Sequence, residues 1–120
     1  MTENKGEVVI AKSVVEEEVG EVLDNEFLLT RPITFEGTYY EKIELDFERL
    51  TGADVEKAEA QFNAEDTNNQ VTMVKEMSKG FAAIIASKAA GVNVALIRAL
   101  SASDYAKITM RTTVFLMAGK

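Results

Sequence analysis

The sequence contains no cysteine and no histidine in 120 residues, and its single proline is Pro32. Without cysteine there is no disulfide, no thiol redox chemistry and no thiolate nucleophile. Without histidine the usual serine and cysteine triads and the common zinc sites are excluded as well. GxGxxG, HExxH and GxSxG patterns are missing, and Gly119-Lys120 ends the chain without the other parts of a phosphate loop. No uncharged apolar run approaches the roughly 18 residues that a membrane span requires. No basic stretch followed by an apolar one marks a secretory signal. The expectation is a soluble intracellular protein that is not an enzyme, with no cofactor, no metal and no membrane contact.

What is present supports a real core. Apolar residues make up 47% and charged residues 28% of the chain, an ordinary globular balance at a length that suits one domain. The charge is uneven. Thirteen bases against 20 acids give a net −7. Residues 1 to 66 hold 18 acids and 6 bases, net −12, whereas residues 67 to 120 hold 2 acids and 7 bases, net +5. One reading is that the halves complement each other within the fold or between subunits. A nucleic-acid face is not supported, because the seven bases are scattered singly with no aromatic-flanked basic cluster.

Residues 1 to about 25 read as a flexible acidic arm. Its triplet Glu16, Glu17 and Glu18 lacks the spaced oxygen ligands and central glycine of a calcium loop, so a solvated charge run is the simpler reading. Val14, Val15, Val19, Val22 and Leu23 are nonetheless spaced at three and four, which would suit a helix formed against a partner. From Phe27 the apolar residues alternate: Phe27 and Leu29, then Ile33 and Phe35, then Ile43, Leu45 and Phe47. Period two predicts a β-hairpin near 27–47, turning at Glu36-Gly37, where glycine supplies a positive φ. Pro32 belongs at an edge or a strand entrance, since it has no N–H to donate.

Beyond Leu50 the chain reads as helical. Thr51 with Asp54 forms an N-cap signal for a helix over about 53–63. A second, anchoring helix over about 70–90 carries Met73, Val74, Met77, Phe81, Ile84 and Ile85 on one stripe, leaves Glu76, Lys79 and Ser87 off it, and stops at Gly91. Asn93 caps a short helix over about 93–100, and Ser101 to Asp104 start the last one, about 103–118. The expected fold is α+β, an N-terminal hairpin followed by a bundle of about four helices, forming one domain over 26–120.

The last helix has two apolar stripes. Tyr105, Ile108, Thr112 and Phe115 form one; Ala106, Met110, Val114 and Met117 form the other. The first is assigned to the core, and Met110, Val114 and Met117 are the candidate partner-binding residues. The alanine-rich run from Gly80 to Ala90 allows close helix approach, either within the core or in self-association, and its outer side is a second candidate for partner contact. Carboxylates abound, yet nothing singles out a catalytic pair.

Leu29-Thr30-Arg31-Pro32-Ile33-Thr34-Phe35-Glu36-Gly37, then Ile43-Glu44-Leu45, then Leu50-Thr51-Gly52-Ala53-Asp54-Val55 and Ala58-Glu59 resemble the opening of the tail assembly chaperones of contractile-tailed bacteriophages of the Mu and P2 type. The small-residue-rich helix, Ile97, Leu100, Asp104-Tyr105 and the closing Val114-Phe115-Leu116 extend the resemblance to about residues 27–117. It implies a non-enzymatic factor of the host cytoplasm, absent from the mature virion. Such a factor binds the tape measure protein, keeps it soluble and helps tail tube protein assemble around it. It also implies a longer product made by ribosomal frameshifting, for which the Gly119-Lys120 codons are a candidate slip site. Homo-oligomer formation stays open. So do two other readings: a small structural component that persists in the particle, and an acidic DNA mimic, whose binding would be strongly salt-dependent.

Overall fold

The computed structural model describes residues 25–66, 68, 75 and 78–119. The acidic arm up to residue 24, the stripe residues Met73, Val74 and Met77, and Lys120 lie outside them. The fold is α+β. Strands β1 (Glu26–Phe35) and β2 (Thr38–Glu44) form an antiparallel hairpin, and a 3-10 turn at Phe47–Arg49 leads to helices α1 (Gly52–Glu65), α2 (Lys79–Ala90), α3 (Val94–Ala99) and α4 (Ala102–Ala118).

The hairpin turns in two residues, Glu36 (φ 50°) and Gly37 (φ 83°), with Phe35 opposite Thr38. Two positive φ values match the right-handed twist of the flanking strands, and the glycine adopts its value without the Cβ clash that Glu36 bears. The register then slips. Leu28 faces Lys42 and Ile33 faces Tyr40, so residues 29 to 32 of β1 stand against Glu41 alone. Pro32 sits in this bulge, where a missing N–H costs no ladder bond. A two-stranded sheet is marginal by itself. This one is held by burying Leu29, Ile43 and Leu45 against Ala83, Ala86, Leu96, Ile97, Leu100 and Ile108.

Helix α2 is the central element. Residues Phe81 through Ser87, and Ala89, are all buried. One side, through Ala83 and Ala86, meets the hairpin, α3 and Ile108. The other, through Phe81, Ile84 and Ile85, meets Ala58 and Phe62 of α1, with Phe62 and Phe81 edge to face at 5.8 Å between ring centroids. Alanine's small side chain is what permits close approach on several sides at once.

Two expectations are corrected here. The helix expected over about 70–90 starts at Lys79, because Ser78 is extended and its hydroxyl accepts the Phe81 N–H as an N-cap. Ser87, expected off the apolar stripe, is buried, and its hydroxyl donates to the Ile84 carbonyl at 2.6 Å. A hydroxyl satisfied within its own helix can enter a core at little cost.

The end of α2 ties the halves of the fold together. Gly91 caps it in the left-handed conformation, φ 70°. The Arg49 guanidinium donates to the Lys88 carbonyl at 2.9 Å, and the Asp46 N–H donates to the Ala89 carbonyl. These bonds occupy carbonyls that a helix end leaves without intrahelical partners.

Candidate partner-binding surface

The orientation of α4 depends on Asp104. Ser101 caps the helix, its hydroxyl accepting the Asp104 N–H at 3.2 Å. The Asp104 carboxylate turns away to the β1 bulge. Oδ1 accepts the Thr30 N–H at 3.0 Å and the Thr30 hydroxyl at 2.9 Å, and Oδ2 accepts the Arg31 N–H at 3.2 Å. The bulge supplies these donors, since residues 29–32 have left the ladder. Asp104 exposes none of its surface. Burial pushes its carboxyl upward, but the hydrogen bonds from Thr30 and Arg31 outweigh that and hold it below the usual carboxylate range. Sequence reasoning read this residue only as a capping acid.

Further along, the Arg111 guanidinium lies 5.8 Å from the Phe27 ring centroid and donates to the Glu26 carbonyl at 3.3 Å. Phe115 stacks on Phe47 at 4.8 Å between centroids. Ile108 and Thr112 are buried, with the Thr112 hydroxyl donating to the Ile108 carbonyl. One stripe of α4 is thereby fixed inward.

The other stripe faces out. Met110 is 59% exposed, Val114 46% and Met117 60%. All three sequence-designated residues therefore lie on one line of the surface, as their spacing of four and three along a helix requires. Phe27, Ala106, Lys107, Met110 and Arg111 border a shallow, open depression at one end of that line. The outer side of the alanine-rich helix, the second candidate, does not exist as an apolar surface, because in α2 only Lys79 is exposed.

A second apolar patch lies on the outer face of the hairpin. Leu28 (59% exposed) and Tyr39 (60%) border a hollow with Tyr40, Glu41 and Lys42. Lys42 pairs with Glu26 at 2.9 Å, and that carboxylate holds the ammonium above its usual range. The strand period did contain a signal for Leu28: with Phe27 and Leu29 facing in, the residue between them must face out.

Among the described residues no group of three acidic side chains is placed to hold a metal, and no helix is long and apolar enough to cross a membrane. A third hollow, between the hairpin turn and α3, carries Glu36 as its one carboxylate. None of these three hollows brings two carboxylates together.

Fold and surface together define a small α+β protein whose last helix presents an exposed apolar stripe. The chain matches the family model of phage tail assembly chaperone proteins, E, or 41 or 14, over residues 26–117, a span that takes in the hairpin and almost all of α4. The chain belongs to this family. Its role is therefore an assembly role in phage tail formation, exercised through contact with tail proteins, in keeping with the resemblance read over residues 27–117. Comparisons with curated proteins and with solved structures give no match.

Proposed function

We propose that the protein binds the tape measure protein through the outer stripe of α4, keeps that client soluble and promotes assembly of tail tube protein around it. The observation that carries this reading is the alignment of Met110, Val114 and Met117, all exposed, on a helix whose opposite stripe is locked into the core. A helical client can lay its own apolar face along such a line, and thioether side chains repack to fit it. In this reading the chain acts in the host cytoplasm during assembly and leaves before the tail is complete. Co-expression with the tape measure protein tests it. The client is expected to stay soluble and to co-purify with the chain, and Val114→Asp with Met117→Asp is expected to abolish both. A client equally soluble alone, and free of bound chain, would overturn the reading.

A further inference from the structure

Charge on α4 is as one-sided as its apolar content. The helix carries three charged residues, Asp104, Lys107 and Arg111. Asp104 is buried with its carboxylate on the β1 bulge, so the charges left for a partner to meet are both positive. Successive helical residues are about 100° apart, which places Ala106, Met110, Val114 and Met117 within an arc of about 80° and sets Lys107 and Arg111 along one side of it. The other side carries Thr109 and Thr113, whose hydroxyls are bonded to carbonyls of their own helix. Lys107 is exposed and makes no ion pair among the described residues. The Arg111 guanidinium lies over Phe27, and the carboxylate of the neighbouring Glu26 is taken by Lys42 at 2.9 Å. The depression bordered by Phe27, Ala106, Lys107, Met110 and Arg111 thus has two cations at its rim and no acid.

We propose that the outer stripe of α4 takes an acidic amphipathic helix, whose apolar row covers Met110, Val114 and Met117 and whose carboxylates, along one flank of that row, meet Lys107 and Arg111. Apolar row on apolar row supplies the affinity, and the charges at the rim set register, orientation and rate of encounter. A basic partner, which the net −7 of the whole chain would attract at long range, meets like charge at the stripe itself. A second copy is disfavoured on the same ground, since its α4 brings two more cations and no accessible carboxylate. Assigning such a helix to the tape measure protein rests on the client site proposed above; the preference of the stripe for acid does not.

Two synthetic helical peptides of equal length provide the test, both with a leucine row at spacings of three and four and with glutamates beside it in one peptide and lysines in the other. Their binding to the full-length chain is followed by isothermal titration calorimetry. Val114→Ser with Met117→Ser removes the stripe, and only binding lost in that variant is counted. The glutamate peptide is expected to bind about tenfold tighter at low salt, as two exposed charge pairs of opposite rather than like sign provide. The gap should narrow as salt rises. Lys107→Glu, at an exposed position, is expected to shrink the preference several-fold, and Lys107→Gln to fall between it and wild type, which separates charge from shape. No stripe-dependent binding of the glutamate peptide, equal or tighter binding of the lysine peptide, or a preference that Lys107→Glu leaves unchanged would overturn the proposal. Self-association through the stripe that neither peptide displaces would also overturn it, because a second copy would then be the occupant. Binding of the tape measure protein is measured separately on the same variants. Preference for the glutamate peptide without binding of the tape measure protein would keep the acidic-helix surface and remove the client reading. Tape measure binding that is lost in the serine variant but indifferent to Lys107→Glu and to salt would do the reverse.

Discussion

At the scale of single residues, Asp104 joins two segments that are 74 residues apart in sequence. Its carboxylate takes two backbone N–H groups that the β1 bulge removes from the ladder, and those donors have no other partner among the bonds described. Asp104→Asn keeps the shape but places an amide against one of the donors and removes the charge. Hydrogen bonds to ionised groups contribute about 1.5–3 kcal/mol, so a loss of about 2 kcal/mol in urea unfolding at neutral pH is expected. The pH dependence has a definite sign. The folded carboxyl sits below its ordinary value, so its contribution is complete above the unfolded value, near pH 4, and is lost as pH falls through the lower folded value. The stability gap between wild type and Asp104→Asn should therefore stay constant from about pH 5 upward and close in more acidic solution. A gap that persists undiminished at low pH would mean that the carboxylate charge is not what the bulge requires. The acid at the start of α4 was visible in the sequence. Its partner was not, because nothing local indicates that Leu29-Thr30-Arg31-Pro32 leaves the sheet, apart from the proline itself.

Among the elements, α2 is buried on nearly every side, whereas α4 turns one stripe to the core and one to solvent. Alternation located the hairpin and Gly37 its turn, since period two and a positive φ are local properties. The two stripes of α4 were equally legible, because Met, Val, Ile and Phe mark a helix face clearly. Burial of α2 on nearly every side was harder to read. Alanine carries so little apolar surface that Ala82, Ala83, Ala86 and Ala89 look neutral in a pattern, although their smallness is what lets neighbours close in. The beginning of α2 was overrun for a related reason: apolar spacing continues upstream through Met77, and a single capping serine weighs little against it. Two substitutions separate the roles of these helices. Met117→Asp changes an exposed side chain in the last turn of α4 and should cost less than about 1 kcal/mol, including the unfavourable helix dipole. Phe81→Asp removes a ring packed on Phe62 and buries a carboxylate, at a cost above about 3 kcal/mol. Thermal unfolding followed by circular dichroism should show Met117→Asp melting within a few degrees of wild type and Phe81→Asp without a cooperative transition. A comparable loss for both would place Met117 in the core and remove it from any partner surface.

For the whole molecule, the division of charge between the halves has a structural counterpart. Arg98 pairs with Glu65 at 2.8 Å and Lys75 with Glu59 at 3.6 Å, each joining a base of the second half to an acid of the first. Such surface pairs contribute little individually, about 0–1 kcal/mol, so they set which faces meet more than how strongly the chain folds. Cohesion falls to the apolar contacts, and these form two clusters, one beneath the hairpin and one between α1 and α2. The clusters share α2 as a common wall: Ala83 and Ala86 serve the first, and Phe81, Ile84 and Ile85 the second. Because a helix forms cooperatively, loosening one side of α2 should loosen the other. Phe62→Ala empties part of the second cluster and should cost about 3 kcal/mol. The tyrosines report on the first cluster, since Tyr40 and Tyr105 pack on it. Near-ultraviolet dichroism of the tyrosines and far-ultraviolet dichroism of the helices should then shift to lower denaturant together and by the same amount, the signature of a two-state transition. A tyrosine transition that stays in place while helix signal is lost would mean that α1 and its cluster unfold alone, and that the hairpin, α3 and α4 form the unit that presents the outer stripe.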